Sequence, residues 1–251
     1  MTSIRLLLSA AEYIRLREAY DYADPCCEFE VVQTGGLAQS GQYHGIYARV
    51  PRAECGRAIN LRRFELICGE VFADGSEALQ RGCLTATHEA NLQAIALAIV
   101  HWKMASQRGR AKGKVENVLG KWQPKTPVVL VKAYDSRCMA GFCIGGVRIP
   151  TATAFMRLLF PDEYGIMDSR VSAITNAAAI THLSLTADDY VIDTPKNVTQ
   201  YGDTYSPFLR AQAKQLNASG TRFRDINAEG RLMKFAFRPC DAEMALWQSA
   251  S

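Results

Sequence analysis

One stretch of the chain, residues 141–170, joins a glycine-rich turn to two helix-start signals. Gly145-Gly146-Val147 predicts a hairpin, because glycine adopts positive φ at little steric cost. Pro150 favours the first turn of an amphipathic helix, and Pro161 ends that helix. Asp168 then stands where the next helix begins, a position at which aspartate caps free backbone amides. The stretch therefore predicts a turn, a helix and a carboxylate fixed at the start of a second helix.

The same stretch is similar to a known pattern of glycine hairpin, apolar helix and aspartate. Gly146-Val147, Thr151-Ala152, Ile166 and Asp168 fall on that pattern without a gap. In these residues the chain resembles the helix-hairpin-helix (HhH-GPD) DNA glycosylase superfamily, in particular its adenine-glycosylase branch. In that superfamily the aspartate is catalytic, and the hairpin amides with the following helix N-terminus suit a DNA phosphate.

Three positions depart from the family pattern. Arg148 stands where a second hairpin glycine is usual, and Gly165 stands where a proline is usual. Pro150 occupies the position at which bifunctional members carry a Schiff-base lysine. Proline offers no nucleophile, and the guanidinium of Arg148 stays protonated near neutral pH. The resemblance therefore implies a monofunctional DNA N-glycosylase without amine-driven AP lyase activity.

The resemblance also implies a fold. It predicts a mostly α, two-lobed helical protein of the HhH-GPD type, with a DNA-binding cleft between the lobes. Residues 75–167 would form the central lobe, which carries a wedge loop and the helix-hairpin-helix. Residues 1–74 would fold together with residues 168–251 as the other lobe.

A basic segment follows the helix predicted to end near residue 106. Its sequence, QRGRAKGK at residues 107–114, has four positive charges and no negative charge. A solvent-exposed basic loop is the simpler interpretation. By the resemblance, a loop at this place inserts side chains into the gap left by a flipped nucleotide, which assigns Ser106, Gln107 and Arg108 to the wedge. The candidate DNA-binding residues are those of the hairpin, the following helix start and the basic segment: Gly145, Gly146, Val147, Arg148, Thr151, Gln107, Arg108, Arg110 and Lys112.

Asp168 is the candidate catalytic residue. A glycosidic bond in duplex DNA is reached only after the nucleotide is extruded, and its cleavage develops positive charge on the sugar. A carboxylate could stabilise that charge, position water or bond transiently to the sugar. The simpler interpretation is a helix cap.

His101 and Trp102 are candidates for the base pocket, with core packing as the alternative for both.

The composition of the chain limits which cofactors and partners can be expected. Only Cys240 lies beyond Asp168 and the chain has no Cys-x2-Cys pair, so the iron–sulfur cluster of some family members is not expected. We predict no metal and no cofactor, apart from a monovalent cation at the hairpin. The net charge of +4 favours a polyanion weakly, and no apolar run approaches the length of a membrane helix. We expect double-stranded DNA as partner, no membrane association, a monomer, and a cytoplasmic location, associated with the nucleoid if the protein is bacterial.

The predicted function is excision of a damaged or modified base, leaving an abasic site. Genome repair and antiviral defence against hypermodified phage DNA both remain open. The alternative, from another class, is a non-catalytic helix-hairpin-helix DNA-binding protein or an abasic-site recognition module.

Secondary structure was predicted from periodicity and from turn signals. For Val128–Val131, β-branched side chains favour a strand, but the resemblance favours a helix, which we predict. The other predicted helices are 3–20, 52–72, 87–106, 171–183, 207–218, 224–237 and 241–248. Residues 73–85 are predicted as a loop and residues 186–205 as mostly loop, and residues 29–32 and 43–50 as short extended pieces.

Overall fold

The computed structural model describes residues 5–20, 28–31, 46–49, 58–59, 61–104, 110–188 and 190–250. Helices make up most of these residues, so the predicted mostly α class is confirmed. In chain order the helices are α1 (Ala10–Glu18), α2 (Leu61–Gln80), α3 (Ala86–Met104), α4 (Arg110–Lys121), α5 (Thr126–Asp135), α6 (Ile149–Leu159), α7 (Ser169–Ala177), α8 (Pro195–Gln200), α9 (Ser206–Ala218) and α10 (Pro239–Ser249). Shorter elements are a 3₁₀ turn at Met139–Phe142 and a π-helical turn at Tyr201–Tyr205. The strands are β1 (Glu28–Val31), β2 (Ile46–Arg49), β3 (Ala58–Ile59), β4 (Phe223–Ile226) and β5 (Leu232–Phe235).

The described residues form two compact units. One holds those of Met1–Tyr20, Phe160–Ile226 and Arg231–Ser251, and the other those of Asp21–Leu159 and Asn227–Gly230. We call them the terminal unit and the central unit. The division predicted from the sequence differs, because it grouped residues 1–74 with the C-terminal segment. α2 packs on α3, α5 and α6, and so belongs to the central unit.

The central unit has a helical core built around α6. Nearly every residue of α6 is buried, and α6 packs on α2 and α3. The predicted loop at residues 73–85 is wrong over its first part, since α2 continues to Gln80. The reason is close helix packing: a Cβ on Gly75 would lie 2.9 Å from Leu92 Cδ1, so glycine lets α2 approach α3.

The sheet and the helix starts of the central unit also differ in part from prediction. β1 pairs antiparallel with β2 on one side and with β3 on the other. β1 and β2 lie within or beside the predicted extended pieces, whereas β3 lies inside the predicted helix 52–72. α3 begins at Ala86, one residue before the predicted start, and the Thr85 hydroxyl accepts from the amide of His88 in its first turn. α5 is a helix, as predicted.

The terminal unit joins α1 to the C-terminal helices. α1 packs on α10, and Arg17 donates to Asp241 at 3.0 Å and to Asp225 at 2.6 Å. The Arg17 guanidinium also stacks on Phe223, with 4.6 Å between Cζ and the ring centroid. These contacts hold the ends of this unit together although Arg17 and Asp241 are 224 positions apart.

Four predictions for the terminal unit differ in whole or in part from the structure. Residues 224–237 are not helical, because β4 and β5 form an antiparallel hairpin whose turn includes Gly230 at φ 82°. Residues 186–205 contain α8 and the π-helical turn, with Thr194 capping α8. α7 ends at Ala177, because Ala179 adopts a φ of 54° that interrupts a helix. α1 is also shorter than predicted, since Ser9 caps it.

None of the described helices has the length and apolar character needed to cross a membrane.

Candidate functional site

The glycine turn between α5 and α6 has the predicted backbone conformation. Gly145 has φ 56° and Gly146 has φ 84°, values that a side chain would make unfavourable. The amide of Val147 donates to the carbonyl of Ile144 at 2.9 Å and closes the turn. A Cβ on Gly145 would overlap the indole of Trp122, so the first glycine is also required by close packing.

α4 places cationic side chains beside this turn. The ammonium of Lys114 donates to the carbonyl oxygen of Gly146 at 2.9 Å. Lys121 Nζ and Asn117 Oδ1 stand 3.3 and 3.4 Å from the point where a Cβ on Gly146 would lie. One carbonyl of the turn, where the sequence predicted a monovalent cation, thus already has a cationic partner within the chain.

The predicted DNA-binding residues at the start of α6 differ in their exposure to solvent. Arg148 is exposed, and its carbonyl accepts from the amides of Thr151 and Ala152 at 2.9 and 2.8 Å. Thr151 is only 3 % exposed, and Val147 is also buried. Thr151 and Val147 therefore support the turn from inside, whereas Arg148 is the residue that faces solvent.

The basic segment is described only in part. Ser106, Gln107 and Arg108, the predicted wedge, lie outside the described residues. Arg110 and Lys112 lie in the first turn of α4, so this part of the predicted loop is helical. The helix brings Lys114, which is not among the residues predicted to bind DNA, to the glycine turn.

Asp168 lies at the N-cap of α7. Its Oδ1 accepts from the amide of Arg170 at 3.1 Å, and its side chain is half-buried. The Arg170 guanidinium stacks on Trp247 of α10, with 4.3 Å between Cζ and the ring centroid. The carboxylate is thus held at a helix start that is itself anchored to α10.

Two buried tyrosines, absent from the predicted site, contact the segment before Asp168. The hydroxyl of Tyr201 donates to the carbonyl of Gly165 at 2.9 Å, and that of Tyr205 donates to Ile166 at 2.6 Å. A Cβ on Gly165 would lie 2.6 Å from Leu209 Cδ1, so the packing here favours glycine over a residue with a side chain. The spacing of four between the tyrosines places both on one face of a helix, but it does not indicate what that face contacts.

The two base-pocket candidates lie in the central unit. Trp102 is fully buried, and the guanidinium of Arg157 lies 5.7 Å from its ring centroid. Arg157 in turn forms a buried ion pair with Glu65, at 2.8 Å. Trp102 therefore packs in the core. His101 is half-buried, and within the described part of the chain its Nδ1 has no hydrogen-bond partner. Burial lowers the pKa of the His101 imidazole.

No group of three or more His, Cys, Asp or Glu side chains among the described residues is arranged to hold a metal ion. Cys68 and Cys240 are buried thiols.

Comparison of the chain with protein-family models, curated proteins and solved structures finds no significant match.

Proposed function

We propose that this protein is a monofunctional DNA glycosylase that flips out a damaged or modified base and cleaves its glycosidic bond. The observation that carries the proposal is a positive-φ glycine turn followed, at the family's sequence spacing, by a helix-capping aspartate. In this proposal α5, the glycine turn and α6 form the helix-hairpin-helix. The partner is double-stranded DNA.

The chemical step assigned to Asp168 follows from its placement. Loss of a base leaves positive charge on the deoxyribose, and a carboxylate held in place lowers the barrier by stabilising that charge. The hydrogen bond from the Arg170 amide supports this role, because it restricts the carboxylate to one orientation. Half-burial leaves part of Asp168 accessible to a sugar.

Binding is assigned to the turn and its cationic neighbours. Contacts to phosphate carry no sequence information, so the turn would grip any duplex while the pocket selects the base. The exposed Arg148 and Lys121 supply positive charge beside the turn. Each phosphate neutralised by such a side chain adds to the salt dependence of binding.

The test compares wild type with Asp168→Asn and Asp162→Asn. Asparagine caps a helix about as well as aspartate, so the first variant removes the charge and keeps the cap. Asp162 is exposed in the same unit, and its variant controls for loss of one negative charge. The proteins are incubated with genomic and phage DNAs, released bases are identified by mass spectrometry, and abasic sites are revealed with hot alkali.

Asp168→Asn should bind duplex within a few-fold of wild type but lose base release by roughly 10²-fold or more. Asp162→Asn should behave as wild type. Equal loss of binding and base release in Asp168→Asn would show that the residue is structural.

A non-catalytic helix-hairpin-helix binder, or a module that recognises abasic sites, is the second candidate. It is favoured by the capping bond of Asp168, which accounts for an aspartate at this position without any chemistry. Duplex binding without base release, by wild type and both variants alike, would support the binder. Tighter binding to a duplex with an abasic site would then identify the recognition module.

A further inference from the structure

We propose that Tyr201 and Tyr205 are positioning residues that fix the backbone before Asp168 and thereby set the location of its carboxylate. The catalytic consequence rests on the proposed glycosylase function. The geometric part, that the two hydroxyls hold the segment Gly165–Met167, stands on contacts within the terminal unit alone.

The first support is the pair of hydrogen bonds to consecutive carbonyls. Tyr201 binds the carbonyl of Gly165 at 2.9 Å and Tyr205 binds that of Ile166 at 2.6 Å, and both tyrosines are buried. A segment without regular secondary structure has no ladder to satisfy its carbonyls, so side chains must supply the donors. Two consecutive peptide units are thereby held in place two and three residues before Asp168.

The second support is the unusual helix that carries the tyrosines. Between α8 and α9 the chain makes one π-helical turn, in which the amide of Ser206 donates to the carbonyl of Tyr201. The hydroxyl of Ser206 donates to the same carbonyl at 2.7 Å. Single π-turns cost stability and occur frequently at functional sites. Here the wider turn presents two tyrosine rings to the same segment.

The third support is a stack of rings that prevents the tyrosines from rotating away. The rings of Tyr164 and Tyr201 stack with centroids 5.8 Å apart, and those of Tyr201 and Tyr205 with centroids 6.0 Å apart. Stacked aromatic pairs attract each other beyond the effect of burial alone. Tyr164 directly precedes Gly165, so the contact of its ring with Tyr201 is a further connection between this segment and the π-helical turn.

The fourth support is the close packing of Gly165 against two helices. A Cβ there would lie 2.6 Å from Leu209 and 2.8 Å from the Cβ of Glu243, so the backbone rests directly against α9 and α10. A segment whose glycine packs against two helices, and whose two consecutive carbonyls each accept from a hydroxyl, has little freedom. Because a displacement of about 1 Å in a catalytic group can cost 10²-fold in rate, such restraint has a kinetic value.

The pKa of the Tyr205 hydroxyl is consistent with the closeness of Tyr205 to Asp168. Burial raises the pKa of the Tyr205 hydroxyl well above its ordinary value, and Glu243, Tyr201 and Asp168 raise it further. The hydroxyl therefore stays protonated and remains a donor over the whole physiological range. The Asp168 carboxylate is close enough to contribute to the field at this hydroxyl.

The test uses Tyr205→Phe and Tyr201→Phe, which each remove one hydroxyl and keep the stacked ring. Tyr13→Phe is the matched control, because Tyr13 is equally buried in the same unit and its hydroxyl bonds Gln212 instead, at 2.8 Å. Two measurements are made on the full chain. One is hydrogen exchange of the Arg170 amide, which bonds Asp168, and the other is steady-state base release with kcat and KM separated.

We expect Tyr205→Phe to raise the exchange rate of the Arg170 amide by roughly tenfold relative to Tyr13→Phe. Its kcat should fall roughly 10-fold to 10²-fold with KM within about twofold, since the substrate is still bound but the carboxylate is displaced. Tyr13→Phe should leave kcat and KM at wild-type values. Tyr201→Phe should shift both readouts in the same direction, which keeps the test decisive if Tyr205→Phe does not fold.

Equal amide exchange in the tyrosine variants and in Tyr13→Phe would overturn the proposal. A fall in kcat of the same size in Tyr13→Phe would also overturn it, because the effect would then be one of general stability. If wild type releases no base from any duplex, the glycosylase assignment fails, while the exchange measurement still decides whether the tyrosines hold the Asp168 segment.

Discussion

The ammonium of Lys114 and the carbonyl oxygen of Gly146 are joined by a 2.9 Å hydrogen bond that links α4 to the glycine turn. The bond fixes the turn through a residue 32 positions away in the chain. It also keeps a positive charge at the place where a DNA phosphate is proposed to bind.

Replacing Lys114 with Met should weaken duplex binding on every sequence alike, because it removes a charge and frees the turn. Lys214→Met is the control, since Lys214 is exposed in the other unit and its loss changes the net charge equally. Binding is measured by fluorescence anisotropy over a salt series. Equal affinities for the two variants would show that the bond to Gly146 does not contribute.

The buried ion pair of Arg157 and Glu65 should be important for stability. Glu65→Gln removes a buried partner and should lower the free energy of unfolding by about 3 kcal/mol, as seen when one member of a buried pair is lost. Glu77→Gln is the control, because its pair with Arg81 is exposed and should contribute less than about 1 kcal/mol. Urea unfolding of both variants measures the difference, and similar losses would contradict the prediction.

A methyl group at Gly165 should be destabilising. Gly165→Ala forces a shift of Leu209 or of Glu243, and overpacking of this kind costs about 1–3 kcal/mol. Gly202→Ala tests the same change in the π-helical turn of the same unit, where a Cβ meets no atom within 4 Å. Thermal melts should place Gly165→Ala well below wild type and Gly202→Ala near it. The reverse order would show that the segment before Asp168 is loosely packed.

Acid should destabilise the chain in part through His101. Burial lowers its pKa below the ordinary value of 6.5, so below pH 6.5 the unfolded chain binds a proton more readily than the folded one. The stability contribution is thus complete above pH 6.5 and is lost as the pH falls. His101→Gln should flatten this decline, whereas His182→Gln, at an exposed position, serves as the control. Parallel pH profiles for wild type and both variants would contradict the assignment.

An amine-driven lyase step should be absent. Pro150 lies in the first turn of α6 and offers no nucleophile where bifunctional members use lysine. Borohydride added during base release should trap no covalent protein–DNA adduct, and product strands should break only in hot alkali. Strong trapping would point to another lysine, with Lys103 and Lys114 the first to replace.

Local signals in the sequence predicted the glycine turn, α6 and the capping role of Asp168, because each depends on nearby residues. The helical state of Val128–Val131 needed the family resemblance, since β-branched propensity indicates a strand. The error at residues 224–237 has a physical source as well. Gly230 and the pairing of Phe223 with Phe235 set a hairpin there, and that pairing depends on residues apart in sequence.

The contacts proposed to position Asp168 could not be predicted from sequence patterns. Tyr201 and Tyr205 meet their carbonyl partners 36 and 39 positions earlier in the chain. No periodicity links a π-helical turn to an irregular segment at that distance. The same holds for Lys114, which approaches Gly146 only because the basic segment is helical at residues 110–121.

The junction of α1 with α10 affects the order in which the chain can fold during synthesis. The central unit lies between the two helices in sequence, so its helices can pack while translation continues. Arg17 can meet Asp241 only after 224 further residues have been added to the chain. The contacts that bury α1, from Tyr13 to Gln212 and from Arg17 to Asp225 and Asp241, therefore form late in synthesis, after the residues of the central unit up to Leu159.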